Sequence, residues 1–369
     1  SYDSYKDVDK GPVVNYFNSI LENFQHKKKH ILLFAQCSKQ KPYSNFLSHG
    51  YIRRAISQVT GYDPYDFPEK NPIQIVVISS LVGPVPSQFE TDPIPSNYDL
   101  SVNKISNQEF EIIKPILVER IIKFIKKFKK NYENIVFFVK NNYRELCEAV
   151  LKKMNSSYKI IPKKDLHMIR EAWIELKFVL LNILKEEITL QPLPKKILTR
   201  ILEIKSLPNS SFTINAFKKM FNLEKTDKQA YNYLLTLRIL EIIKKKDQNY
   251  IFKENIIDYL QSKKKRLKEE ENPKIDILRE YIFKNSLIKY NLRFIIFQIY
   301  KNSEITSKKL SDVMKINQFS MGIYLQFLKW LNLIKQKGNS YFLKRNSKKY
   351  LNRFKYLKLI DKKPRIHKY

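Results

Sequence analysis

Residues 237–255 and 328–346 repeat one another at a constant offset of 91, and no other feature of the sequence narrows the fold as much. The matched pairs include Leu237/Leu328, Leu240/Leu331, Ile243/Ile334, Lys244/Lys335, Lys246/Lys337, Tyr250/Tyr341 and Lys253/Lys344. Upstream, at an offset of 93, Phe212-Thr213 with Phe217 and Phe221 match Ile305-Thr306 with Leu310 and Met314. Thr213 and Thr306 stand where an N-cap accepts a hydrogen bond from the first turn of a helix. One helix, a capped second helix, a third helix, and a hairpin turning at Asp247-Gln248-Asn249 or Gly338-Asn339-Ser340 is the order of a winged helix-turn-helix. Two copies are harder to explain by chance than one. The expected bounds are 163–262 for a connecting helix and the first copy, and 263–369 for a linker, the second copy and a basic tail.

Charge points the same way. Lysine and arginine number 69 against 36 acidic residues, a net +33. Residues 1–184 carry +8 of it and residues 185–369 carry +25, so the repeat-bearing half is the electrostatic footprint of a polyanion binder. Lysine-rich coding in an AT-rich genome is the bland alternative for part of that excess. Each third helix should present a polar face, with Lys228, Gln229 and Asn232, and Gln318, Gln326 and Lys329, reaching the nucleic acid. Leu234, Leu237, Ile239, Leu325, Leu328 and Leu331 should hold these helices to their cores. Lys244, Lys245, Lys246, Lys335 and Lys337 should bring the wings alongside phosphates. Winged helices also serve as protein–protein modules, which remains open here.

The first 162 residues read differently. Ile31 to Ala35, Ile75 to Ile78 and Ile135 to Val139 are continuous apolar runs, the mark of strands buried on both faces, and Tyr158 to Ile161 adds a candidate. Helical patterns separate them. The predicted class is therefore α/β, an N-terminal parallel-sheet domain over residues 1–162 followed by two winged helices. The active site of such a sheet lies at the carboxyl ends of its strands.

Several chemistries are disfavoured. Neither GxGxxG nor GxxxxGK[ST] occurs among the six glycines, so ATP or NAD chemistry by the common loops is not expected, and no cofactor is called for. Cys37 and Cys147 have no zinc-finger partners, and three lysines separate His26 from His30, which read as solvated; no metal is expected. No apolar stretch suits a membrane span or a signal peptide, so a cytoplasmic location without membrane contact is expected. The chain begins at Ser1 without Met, as a processed, tag-cleaved or partial chain would.

Two segments carry candidate chemistry. After the first strand comes Gln36-Cys37-Ser38-Lys39-Gln40-Lys41-Pro42-Tyr43-Ser44-Asn45-Phe46-Leu47-Ser48-His49, where ammonium groups beside a thiol would favour a thiolate nucleophile. Equally, Cys37 could be a small buried residue ending a strand. Cys147 shares a helical face with Val150, Leu151 and Met154 and reads as core. After the second strand, Ser79-Ser80-Leu81-Val82-Gly83-Pro84-Val85-Pro86-Ser87-Gln88-Phe89-Glu90 reads as an irregular loop fixed by prolines, with Gly83 allowing close backbone approach. Glu90, and Asp99 beyond it, offer acid or base groups, or else a helix cap and a surface charge.

The Cys-x-x-x-Lys-Pro-Tyr segment ending in Ser48-His49, the Ser-Ser-Leu-Val-Gly-Pro-Val-Pro loop and Asn97-Tyr98-Asp99 together resemble the catalytic domain of archaeosine synthase, an archaeal tRNA-modifying family related to the tRNA-guanine transglycosylases. The resemblance covers about residues 30–125. It implies addition of lysine to the nitrile of 7-cyano-7-deazaguanine in tRNA, with Cys37 attacking or orienting the nitrile. Lys41 and His49 would bind substrate or move protons, and Glu90 and Asp99 would anchor the incoming ammonium. Tyr43, Ser48, Ser80, Gly83 and Pro86 would line the substrate. The implied partners are tRNA and either a radical S-adenosylmethionine protein or a separate transglycosylase-like subunit, since the sequence shows no such barrel. Gln36 stands where the family usually has proline, and Phe46 where it has serine. The competing reading is a DNA-binding regulator or defence component on duplex DNA, whose α/β domain is a non-catalytic ligand or partner module.

Overall fold

The computed structural model describes residues 2–25, 27–163, 169–186, 188–203, 211–223, 226–254, 256 and 273–347. His26, the 263–272 linker and the 352–369 tail lie outside the described residues. The chain divides into two compact units, residues 1–183 and 184–352.

The first unit is a mixed α/β fold. Strands β1 (Lys29–Gln36), β2 (Ile73–Ser79), β3 (Gly83–Pro86), β4 (Tyr132–Phe138) and β5 (Lys159–Ile161) form one sheet in the order β3-β2-β1-β4-β5. β1 pairs in parallel with both β2 and β4, and β4 with β5. The central strand is sealed on both sides, with Ile31, Leu32, Leu33, Phe34 and Ala35 all fully buried, as its unbroken apolar run requires. Around the strands run α1 (Gly11–Asn23), α2 (Leu47–Thr60), the single turn α3 (Pro93–Ser96), α4 (Asn107–Phe128), α5 (Asn141–Met154) and α6 (Ile169–Leu184). Phe34 meets Phe124 of α4 edge-on at 6.0 Å, and Trp173 of α6 meets Tyr51 of α2 at 5.4 Å and Phe138 at 4.9 Å. Strand order turns back at β1, which sends β2 one way and β4 the other. The crevice of the sheet therefore opens at the carboxyl ends of β1 and β4.

One expectation fails here. The 79–90 segment is not an irregular loop: Gly83–Pro86 is β3, paired antiparallel to β2 from Ser79↔Gly83 to Val76↔Pro86. Proline has no N–H to give a ladder, but an edge strand needs donors on one side only, so Pro84 and Pro86 are tolerated where a central strand would exclude them. The turn 80–82 closes on Gly83 at φ +88. A side chain at Gly83 would meet Arg120 Cβ at 3.3 Å, so the close approach that glycine permits is by helix α4. Buried Arg120 donates to the carbonyls of Leu81 at 3.1 Å and Val8 at 2.8 Å, fixing this turn.

In the second unit the repeat is a structural one. Helices Asp227–Ile239 and Gln318–Trp330 are each followed by a two-stranded hairpin, β6 (Ile243–Lys246) with β7 (Asn249–Phe252), and β9 (Ile334–Lys337) with β10 (Ser340–Leu343), every bound shifted by 91. β10 also pairs with the short β8 (Ile305–Thr306), just as Phe212 bridges Tyr250 in the first copy. Thr213 and Thr306 do cap helices Ile214–Met220 and Ser307–Met314, at 3.2 and 3.3 Å. Thr226 and Asn317, a further pair 91 apart, cap the helices before each hairpin. Asp247 and Gly338 both take positive φ at the hairpin turns, the backbone that tight two-residue turns demand. Leu234, Leu237, Ile239, Leu325, Leu328 and Leu331 are buried. Helix Pro273–Asn285 touches both copies: Arg279 donates to the Leu331 carbonyl at 2.8 Å and Tyr281 to the Glu241 carbonyl at 2.6 Å. Among the described residues no helix is long and apolar enough to cross a membrane.

Candidate functional site

Cys37 follows the last residue of β1, where its backbone N–H still donates to the Ile78 carbonyl at 3.2 Å. Its side chain is neither solvated nor sealed. Sγ lies 2.6 Å from the Tyr143 hydroxyl and 3.6 Å from Ser80 Oγ, and those two oxygens are 2.5 Å apart. Ser80, directly after β2, and Tyr143, in the first turn of α5 after β4, are fully buried, while Cys37 keeps partial exposure. Three strand ends thus deliver one thiol and two hydroxyls to a common point. Ser80 Oγ also accepts from the Val102 backbone at 3.2 Å, so its own proton is directed toward the cluster. Burial, followed by the proximity of Cys37, pushes the Tyr143 phenol well above its ordinary range, which keeps it a proton donor. Tyr143 was not singled out from the sequence. It lies 106 residues from Cys37, and its one signal is an aromatic in the first turn of the helix after a buried strand.

A second polar layer adjoins the first. Ser79 Oγ accepts from Leu81 and Val82 N–H at 3.1 Å each and donates to the Tyr98 hydroxyl at 2.9 Å, and Tyr98 is 3.1 Å from the Tyr43 hydroxyl. The Lys41 ammonium stands 4.1 Å from the Tyr98 ring centroid. Burial lowers the Lys41 pKa, against the opposing pull of Cys37 and Asp99. Asp99 itself is exposed.

His49 is buried and points back at the strand, its ring nitrogen Nε2 donating to the Gln36 carbonyl at 2.9 Å while Tyr43 stacks on it at 5.9 Å. Burial depresses its pKa to about 4, so it is neutral at physiological pH. Gln36 is tied twice, because its side-chain oxygen also accepts from the Lys140 N–H at 2.8 Å, bridging the ends of β1 and β4. A proline side chain could not make that bond. Glu90 holds Ser44 through a hydroxyl bond and a backbone bond of 3.2 Å, and accepts from Tyr65 at 3.4 Å. Burial raises its pKa. Ser48 is half-buried on α2, and Gly83 and Pro86 are buried in β3. The residues that meet are therefore Cys37, Ser80 and Tyr143, with Lys41, Tyr43 and Tyr98 beside them; Glu90 binds the Ser44 loop instead. Cys147 is sealed in the core, its thiol pushed well up by burial. His30 is exposed and pairs with Glu133 at 2.8 Å.

In the second unit, Lys228, Gln229, Gln318 and Gln326 are exposed on the helices preceding the hairpins, and Asn232 is half-buried. Lys329 is half-buried and donates to Gln336 at 3.0 Å. Lys244, Lys245, Lys246, Lys335 and Lys337 are exposed on β6 and β9.

The thiol cluster lies inside a region that a family model matches. Residues 13–180 match the family described as Domain of unknown function (DUF5591). Over 152 residues the chain is 25% identical to archaeosine synthase subunit alpha of Methanosarcina acetivorans, which is 41% of this chain and 22% of that protein. The chain thus spans about a fifth of the length of the curated relative it matches. A crystal structure of AF0587, a protein of unknown function, aligns at 21% identity with a TM-score of 0.30, covering 44% of this chain and 48% of that one.

Proposed function

We propose that this protein modifies a nucleic-acid base, with tRNA carrying a 7-deazaguanine nitrile as the substrate and an amine such as lysine as the co-substrate. The observation that carries the reading is the partly exposed Cys37 with its thiol against the buried Ser80 and Tyr143 hydroxyls, in a chain of which 152 residues are similar to archaeosine synthase subunit alpha. In this scheme the sulfur adds to the nitrile carbon, one C–N π bond opens, and the nitrogen takes a proton from Tyr143, which recovers the one the thiol gave up. The amine then adds to the same carbon, the C–S bond breaks, and the sulfur leaves as thiol, giving an amidine. Every atom of nitrile and amine is kept, so no ATP is needed. Lys41 above the Tyr98 ring is positioned for the anionic side of the substrate. Residues 184–352 act as two winged helices whose exposed lysines hold the phosphates. A radical S-adenosylmethionine partner or a separate transglycosylase-like subunit belongs to this same reading.

The test is to incubate the chain with nitrile-bearing tRNA and lysine and weigh the nucleosides. A lysine-sized mass gain that Cys37→Ala abolishes is expected; bound tRNA returned unmodified would overturn the enzymatic reading. The exposed Lys228, Gln229, Gln318 and Gln326 favour a second reading, a regulator or defence component on duplex DNA. Duplex DNA rather than tRNA co-purifying with the protein would favour it.

A further inference from the structure

Between the two copies of the repeat, within the second unit, lies a pocket of about 430 Å³, in the range that takes a small planar ligand. One wall is the connector from Leu190 to Lys195, and the others are the helices that precede the two hairpins. Three aromatic side chains line it: Tyr233 from the first copy, Phe327 and Trp330 from the second. The Phe327 and Trp330 rings pack at 5.7 Å. Thr236 donates to the Gln191 carbonyl at 2.9 Å, which holds the connector in place as a wall. Amide edges are present as well, since Gln191 and Gln326 also line the pocket. The Trp330 indole N–H is shielded from water without an acceptor.

The mouth is charged. Lys195 is shared with an adjoining open depression lined by Lys196, Thr199 and Arg200. An aromatic recess with amide edges beside a cluster of cations matches one ligand chemistry in particular, a flat heterocycle attached to a phosphate. A base inside a duplex cannot enter, because its faces are stacked and its pairing edge is occupied; an unpaired base offers both.

We infer that this pocket holds one unpaired base of an RNA strand, with its neighbouring phosphate on Lys195, Lys196 and Arg200. The inference deepens the reading of residues 184–352 as the nucleic-acid grip and rests on it. It places an unpaired-base site away from the hairpin lysines, so that paired and unpaired parts of one RNA are held by different residues.

The chain has two tryptophans, and Trp173→Phe leaves Trp330 as the only reporter. In that background a dye-labelled single-stranded oligoribonucleotide is titrated, with anisotropy reporting binding and Trp330 emission reporting the pocket. Saturable quenching that follows the anisotropy is expected, and a blunt duplex of equal length should leave the emission unchanged. Tyr233→Ala should weaken single-strand binding roughly 5-fold to 100-fold, the span of one missing base–aromatic stack, while Tyr233→Phe keeps the ring and stays within about twofold. Anisotropy binding with unchanged Trp330 emission, or with no effect of Tyr233→Ala, overturns the pocket and leaves the nucleic-acid reading intact. Absence of anisotropy binding to any strand, tRNA included, overturns both. Adenosine monophosphate that quenches Trp330 as tightly as the strand would make this a free-nucleotide site and overturn the assignment to RNA.

Discussion

The candidate sites of the two units use polar side chains in opposite ways. The site in residues 1–183 turns them inward, so that Ser79, Tyr98 and Tyr43, and Ser80 with Tyr143, are buried with their hydroxyls bonded together, while Cys37 is partly exposed. The candidate contacts in residues 184–352 face outward, with Lys244, Lys245, Lys246, Lys335 and Lys337 exposed on the strands that precede each hairpin turn. Buried hydroxyls in a low dielectric are strong, directional and insensitive to salt; exposed ammonium groups are individually weak and screened within about 8 Å at physiological ionic strength. Under the proposed function the first unit carries the chemistry and the second the adhesion, and each should be breakable without the other.

The largest effect should come from the sulfur. Cys37→Ala is expected to lower single-turnover product formation by about 10³-fold or more, because the covalent step loses its nucleophile. Affinity for tRNA by anisotropy should stay within about twofold. A parallel loss of binding would break the division of labour, since it would place Cys37 in the grip.

Stability should separate the units next. His49 is buried in the first unit with its pKa depressed to about 4 from 6.5. Between those values the unfolded chain binds a proton that the folded one refuses, so the stabilisation is complete above pH 6.5 and is lost as pH falls toward 4. The loss is on the order of 3 kcal/mol. Because Trp173 lies in the first unit and Trp330 in the second, Trp330→Phe and Trp173→Phe backgrounds report each unit's urea midpoint. The Trp173 midpoint should fall more steeply on acidification, and His49→Gln, which retains a donor for the Gln36 carbonyl, should flatten it. Equal acid sensitivity at Trp330 would mean that His49 is not the cause.

Tyr143→Phe sharpens the comparison inside the first unit. Removing the hydroxyl leaves the ring packed but takes away the proton nearest the sulfur, and the rate should fall by about 10²-fold with little change in KM, as for a missing general acid. A change confined to KM would make Tyr143 a binding group instead.

What the sequence revealed follows the same division. The buried strands were legible because a strand covered on both faces must be apolar throughout, and Ile31–Ala35 is. The repeat was legible because helix caps, hairpin turns and core leucines each demand residue types at fixed spacing, which an offset of 91, and of 93 for the upstream caps, preserved. β3 was hidden, since proline reads as a breaker until its place at the sheet edge is known. The thiol cluster was half legible: Cys37 and Ser80 end strands, but Tyr143 reaches them only through the parallel pairing of β1 with β4. His49 carries the same lesson in reverse. Its place in a polar motif suggested proton transfer, whereas the fold buries it against the Gln36 carbonyl.

The smallest effect tests the outward-facing unit and compares its two copies. The first hairpin presents Lys244, Lys245 and Lys246, whereas the second presents Lys335 and Lys337 with Gln336 between them, at the place 91 residues after Lys245. If these exposed ammonium groups displace counterions from phosphates, the logarithm of affinity falls linearly with the logarithm of salt, by about 0.9 per neutralised phosphate on duplex DNA and 0.7 on single strands. Replacing Lys244 to Lys246 with alanine should therefore flatten the slope by roughly one unit for each phosphate left without its lysine, and weaken binding alike on all sequences. Replacing Lys335 and Lys337 should flatten it less, by the share of one missing lysine. Product formation at saturating tRNA should be unchanged in both variants, because neither touches the Cys37 cluster. A slope that both variants leave untouched would show that the hairpins face something other than nucleic acid. Equal losses from the two hairpins would show that Lys245 touches no phosphate, and that the copies are alike in function as well as in fold.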